Sequence, residues 1–92
     1  MLFSRSITDA ARRDLQRLLD SRDEDEVALV QEAYDLLVGL LRFDPRLQGI
    51  AAQASEFRVV VGGPVRVLYR VLPLDDRRVE ICGVGANANW VR

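Results

Sequence analysis

Apolar residues recur along this chain first at helical spacing and then at strand spacing. Residues 2–7, Leu-Phe-Ser-Arg-Ser-Ile, alternate weakly and suit a short opening strand with Phe3, Arg5 and Ile7 on one side. Thr8 and Asp9 then open a helix: Thr8 can cap it and Asp9 favours its positive end. Ala11, Leu15, Leu18 and Leu19 form its apolar stripe. A second helix starts in the acidic run 20–26, where Ser21 has capping-box spacing to Glu24 and Asp23 is an alternative cap. Val27, Val30, Tyr34, Leu37 and Leu41 step by three and four, while Leu29, Ala33, Leu36 and Leu40 widen the apolar face. Phe43-Asp44-Pro45 stops this helix, because the residue before proline is pushed out of the α region. Residues 46–55 read as a loop with at most a helical turn around Ile50-Ala51-Ala52. Strands follow at about 56–61, 65–72 and 78–85.

Strand alternation puts Arg58, Arg66 and Arg70 on one face and Phe57, Val59, Val61, Val65, Val67, Tyr69 and Val71 on the other. A three-residue loop at Gly62-Gly63-Pro64 sets Val61 against Val65, Val59 against Val67 and Val60 against Arg66. A second turn over residues 74–77 sets Val71 against Val79, Tyr69 against Ile81 and Arg70 against Glu80. Cys82 and Val84 fall out of phase with Val79 and Ile81. The expected fold is α+β, one domain over residues 1–92 in the order β-α-α-β-β-β. Its helical hairpin packs on one face of a largely antiparallel four-stranded sheet.

Composition narrows the chemistry. Nearly half of the 92 residues are apolar, so a core needs no metal or disulfide support. No run reaches membrane-span length and the first residues do not resemble a signal peptide, so the expected location is the cytoplasm. The chain has no histidine, which removes the commonest general base and metal ligand, and no cofactor or metal is expected. The single cysteine, Cys82, reads as a buried structural thiol. Every basic residue is arginine. The net charge of −1 hides an asymmetry: residues 1–45 carry six arginines against ten acids, and residues 46–92 seven against four. The basic excess therefore lies on the strands, where planar guanidinium groups suit phosphate or acidic partners. Tyr34 and Tyr69 read as core residues.

The order of these elements is similar to that of the RelE/ParE superfamily of toxin–antitoxin proteins. The resemblance rests on residues 7–15, on Leu40-Leu41-Arg42-Phe43-Asp44-Pro45, on Phe57-Arg58-Val59-Val60-Val61-Gly62, on Val65-Arg66-Val67-Leu68-Tyr69-Arg70-Val71, and on Val79-Glu80-Ile81-Cys82-Gly83-Val84-Gly85. It implies a growth inhibitor acting on translation, by ribosome-dependent mRNA cleavage, or on DNA gyrase. It also implies a cognate antitoxin, for which a groove of Leu68, Leu72, Val60 and the arginines suits an amphipathic acidic segment. In the ribonuclease branch, basic residues on the second and third strands hold the scissile phosphate, and Arg58 and Arg66 match two such positions. A further basic position falls on Val60, and an arginine after the last strand falls near Asn87. The family's terminal tyrosine or histidine lies at or beyond the end of this sequence, where Trp90 is the only aromatic residue.

RNA cleavage needs a base near the 2′-oxygen and a cation for the developing phosphorane charge. Arg58 and Arg66 could supply the charge, whereas a base would come from Glu56, Glu80, Asp75, Asp76 or the ribosome. Gyrase inhibition needs only a binding surface, such as residues 86–92. Arg70, Leu68, Asn87 and Trp90 are the remaining candidates for contacting RNA or a partner. The alternative reading is an inactive interaction module of the same fold.

Overall fold

A computed structural model describes residues 2–47, 49–51, 56–72 and 77–90, with the side chains of residues 47 and 51 left aside. The chain runs β1 (Ser4–Ile7), α1 (Asp9–Asp20), α2 (Glu24–Leu40), a 3-10 turn (Pro45–Leu47), β2 (Ile50–Ala51), β3 (Phe57–Gly62), β4 (Val65–Val71) and β5 (Arg78–Ala86). The sheet order is β1-β5-β4-β3-β2, with both helices over one face. β1 pairs with β5 in parallel and every other neighbouring pair is antiparallel, so the sheet is mixed. The four expected strands are present. A fifth, Ile50–Ala51, adds a two-residue edge to β3 inside the stretch expected to be a loop. Ala52, of the helical turn placed there, lies outside the described residues.

Local chemistry explains the helix ends. The Thr8 hydroxyl accepts from the Ala11 N–H at 3.1 Å, a cap of the kind worth about 1 kcal/mol. Ser21 does not cap α2: it closes α1, donating its hydroxyl to the Leu18 carbonyl at 3.0 Å, and Asp23 holds the N-cap position of α2. After α2 the chain turns through Asp44, whose φ of +43° lies in the left-handed region that Asp tolerates better than most residues. The core joins Ala11 and Leu18 of α1, Val30, Leu37 and Leu41 around α2, Val65, Val67 and Tyr69 of β4, and Val79, Ile81 and Val84 of β5. Tyr69 is fully buried, and its hydroxyl donates to the Pro45 carbonyl at 2.7 Å.

The β4–β5 register is as expected, with Val71 opposite Val79, Arg70 opposite Glu80 and Tyr69 opposite Ile81. A bulge then falls at Cys82, between the Tyr69–Ile81 and Leu68–Gly83 pairs. The extra residue returns Val84 to the core side, opposite Val67, and so resolves the broken phase of this strand.

The β3–β4 register departs from expectation by one residue. Gly62 belongs to β3 and pairs with Val65, leaving only Gly63-Pro64 as the loop. Gly63 has φ +51°, and proline cannot follow it into positive φ, which together define a two-residue hairpin connection of the II′ kind. A one-residue slip exchanges the faces of a strand. Arg58, Val60 and Gly62 therefore share the helix side with Tyr69, Val67 and Val65, while Phe57, Val59 and Val61 face out beside Arg70, Leu68 and Arg66. Gly62 leaves room for α2: a Cβ there would lie 2.9 Å from Leu37 Cδ2 and would push that side chain aside.

Candidate functional site

The outer face of the sheet, away from the helices, carries Arg66, Leu68 and Arg70 of β4 in a row. Arg66 is exposed and has no carboxylate partner among the described residues. Its guanidinium lies over Gly85 of β5, where a Cβ would sit 3.7 Å from Nη2. Leu68 is half-buried between Val59 and Gly83. Arg70 is neutralised: Nε donates to Glu80 Oε1 at 2.9 Å, Nη1 lies 3.7 Å from Glu56 Oε1, and the guanidinium sits 6.0 Å from the Phe57 ring centroid. The hydrogen bond from Arg70 to Glu80 raises the arginine's pKa above its ordinary value, so it stays charged.

Arg58 is not part of this row. It points to the helix side, donates Nη2 to the Gly49 carbonyl at 3.1 Å, and its charge acts on the Tyr69 hydroxyl. Burial nevertheless holds the Tyr69 pKa above the ordinary value, so the hydroxyl remains a donor. The expected pairing of Arg58 with Arg66 on one face is thus corrected by the two-residue turn. The groove expected from Leu68, Leu72, Val60 and the arginines is divided too, because Val60 faces the helices. Of the acids considered as bases, Glu56 and Glu80 both pair with Arg70. Asp75 and Asp76 lie outside the described residues.

Asn87 works as a clamp on the hairpin. Its N–H donates to the Pro64 carbonyl at 2.9 Å, its Nδ2 donates to Gly63 at 3.0 Å, and its Oδ1 accepts from the Asn89 N–H at 3.2 Å. Trp90 N–H donates to the Asn87 carbonyl at 3.1 Å, which brings the indole beside the turn on the helix side. Asn87 and Trp90 therefore gather at the end of the hairpin rather than beside Arg70. Val91 and Arg92, also considered for a binding surface, lie outside the described residues.

Cys82 neighbours Glu80, its Sγ 3.5 Å from Oε1. Burial first, and then Glu80, push its pKa up to about 11, so the thiol is protonated at neutral pH. A shift of that size lowers the thiolate fraction at pH 8 by roughly a hundredfold, partly offset by higher intrinsic nucleophilicity. Alkylation by iodoacetamide, followed by mass spectrometry, is expected to run about tenfold slower than for an unfolded control. Equal rates would show that the fold does not protect the thiol.

One surface went unread in the sequence. Leu29, Leu36 and Leu40 of α2 do not enter the core; they stay exposed, Leu36 at 60%. With Ala33, Val61, the Gly63-Pro64 turn and Trp90 they line an apolar cleft of about 440 Å³ between α2 and the hairpin. The signal was available: two apolar stripes on one helix, 29/33/36/40 and 30/34/37/41, are more than a single packing face needs. Among the described residues no group of acids and cysteine could hold a metal ion, and no helix is long and apolar enough to cross a membrane.

No family model and no curated protein sequence matches the chain. Solved structures do. A chain of the chromosomal ParDE toxin–antitoxin system of P. aeruginosa superposes with a TM-score of 0.73 at 17% identity, covering 92% of this chain and 96% of that one. A chain of the RelBE2 toxin–antitoxin complex of Mycobacterium tuberculosis gives 0.66 at 24% identity, covering 95% and 100%. A hypothetical protein from Helicobacter pylori gives 0.63 at 18% identity, covering 95% and 97%. With two helices on one face of a mixed sheet, and near-complete mutual coverage of these neighbours, the chain has the RelE/ParE-like toxin fold.

Proposed function

We propose that the chain is the toxin of a toxin–antitoxin pair and that it restrains growth by binding its target rather than by cutting RNA. The observation that carries the second half is the make-up of the outer face. Among the described residues Arg66 stands there without a carboxylate beside it, Arg70 is neutralised by Glu56 and Glu80, and Arg58 is turned to the other side. Both described tyrosines that could exchange a proton also belong to the helix side. Such a face can hold a phosphate or an acidic loop, and the acids beside it among the described residues, Glu56 and Glu80, are both engaged by Arg70. The toxin half is supported by the fold shared with ParDE and RelBE2 chains. The restraining antitoxin is expected in the apolar cleft of α2, which suits the apolar side of an amphipathic helix.

Expression without the neighbouring gene is expected to arrest growth while mapped RNA ends stay unchanged. Codon-linked cleavage abolished by Arg66→Ala would instead establish a ribosome-dependent ribonuclease. With RNA intact, a supercoiling assay with purified gyrase distinguishes DNA topology from translation as the target. Normal growth at verified expression would favour an interaction module without toxicity, a reading that the exposed stripe of α2 also fits.

A further inference from the structure

A second site lies where β1, α1 and α2 meet, lined by other residues of α2 than those of the cleft. β1 ends the strand order, and its outer edge is met at Phe3, whose N–H donates to the Arg42 carbonyl at 3.0 Å, before it runs on through Arg5 and Ile7. The Ser4 and Thr8 N–H groups donate to the carbonyls of Arg77, just before β5, and of Ile81 within it, at 2.7 and 3.0 Å. The intervening residues Arg5 and Ile7 consequently direct their N–H and C=O groups away from the sheet. No backbone hydrogen bond reaches those groups among the described residues.

Beside this edge is a cavity of about 500 Å³, floored by Ile7 and Val38 and bordered by Arg5, Arg12 and Tyr34. Neither arginine has a carboxylate partner among the described residues, and the Tyr34 hydroxyl has no hydrogen bond there. Both guanidinium groups act on that hydroxyl and pull its pKa down. Burial and Asp35 outweigh them and raise it, so the hydroxyl is kept as a donor. Asp35 itself accepts from Gln31 Nε2 at 3.0 Å. Donors, positive charge and an apolar floor converge next to unpaired strand hydrogen-bonding groups.

We infer that β1 receives an extended acidic peptide segment of a partner, which adds a strand to the Arg5–Ile7 edge and places one carboxylate between Arg5, Arg12 and Tyr34. The edge supplies main-chain hydrogen bonds and the cavity supplies selection, the division of labour expected of strand addition. A carboxylate fits because arginine engages it with paired N–H donors in one plane. The site involves neither the outer face nor the α2 cleft, so it does not depend on growth inhibition.

The test is a titration of the purified chain with a labelled synthetic peptide of alternating valine and glutamate, against the same peptide with glutamine for glutamate. Binding by the glutamate peptide is expected, weakened about tenfold by glutamine or by Arg12→Gln, the loss of one charge-assisted hydrogen bond. Tyr34→Phe is expected to weaken it by a smaller factor. Hydrogen exchange at the Arg5 and Ile7 amides should slow on binding. Equal binding of the two peptides, or unchanged exchange at those amides, overturns the proposal. Binding of a short RNA oligonucleotide, abolished by Arg12→Gln and without edge protection, would overturn it in favour of a phosphate contact.

Discussion

Truncating Tyr69 to alanine is expected to remove much of the stability of this fold. The residue is fully buried at the centre of the sheet, opposite Ile81 on one side and Arg58 on the other. Removing a large buried aromatic side chain costs about 3–5 kcal/mol, from the lost transfer energy and the cavity left behind. A domain of this length holds roughly 5–14 kcal/mol in total. Tyr69→Phe separates the packing from the polar anchor. It keeps the ring but leaves the Pro45 carbonyl without its 2.7 Å partner, a loss of about 1–3 kcal/mol. Urea titrations of both variants should therefore give well-separated midpoints at unchanged slope. Equal midpoints would mean that the hydroxyl, and not the ring, secures the end of α2 to the sheet.

The second large effect is expected on binding rather than on stability. Leu36 of α2 is 60% exposed at the mouth of the apolar cleft, so Leu36→Glu should shift the unfolding free energy by no more than about 0.5 kcal/mol. A charge at the centre of an apolar interface, however, costs about 2–4 kcal/mol when the site is a hot spot, or roughly thirty- to a thousandfold in affinity. The measurement is calorimetric titration of each variant with the protein encoded beside it. Full affinity in Leu36→Glu would remove the cleft from the proposed antitoxin interface. Arg66→Ala serves as the control, because Arg66 does not line the cleft.

These two residues show what the sequence made legible. Tyr69 could be placed because β4 and β5 constrain each other: Val71, Tyr69, Val79 and Ile81 alternate cleanly with Arg70 and Glu80, and only one register keeps both sets together. β3 offers no such constraint. Val59-Val60-Val61 is apolar on both faces, so a shift of one residue leaves the core apolar either way, and the turn decides. Reading three loop residues instead of two sent Arg58 to the wrong face. The bulge at Cys82 was visible only as a broken phase, and β2 was hidden because two residues carry no period. Leu36 was read as core because periodicity identifies an apolar stripe without saying what covers it.

The parallel pairing of β1 with β5 has a consequence for synthesis. β1 has no other neighbour in the sheet, and its contact with Arg77 closes a separation of 73 residues. During translation the first strand must wait, unpaired, until the last has left the ribosome, and the helices between them cannot bury their faces on a finished sheet before then. The sheet of this chain, and with it any surface that spans β1 and β5, is thus complete only after residues 78–86 have been made.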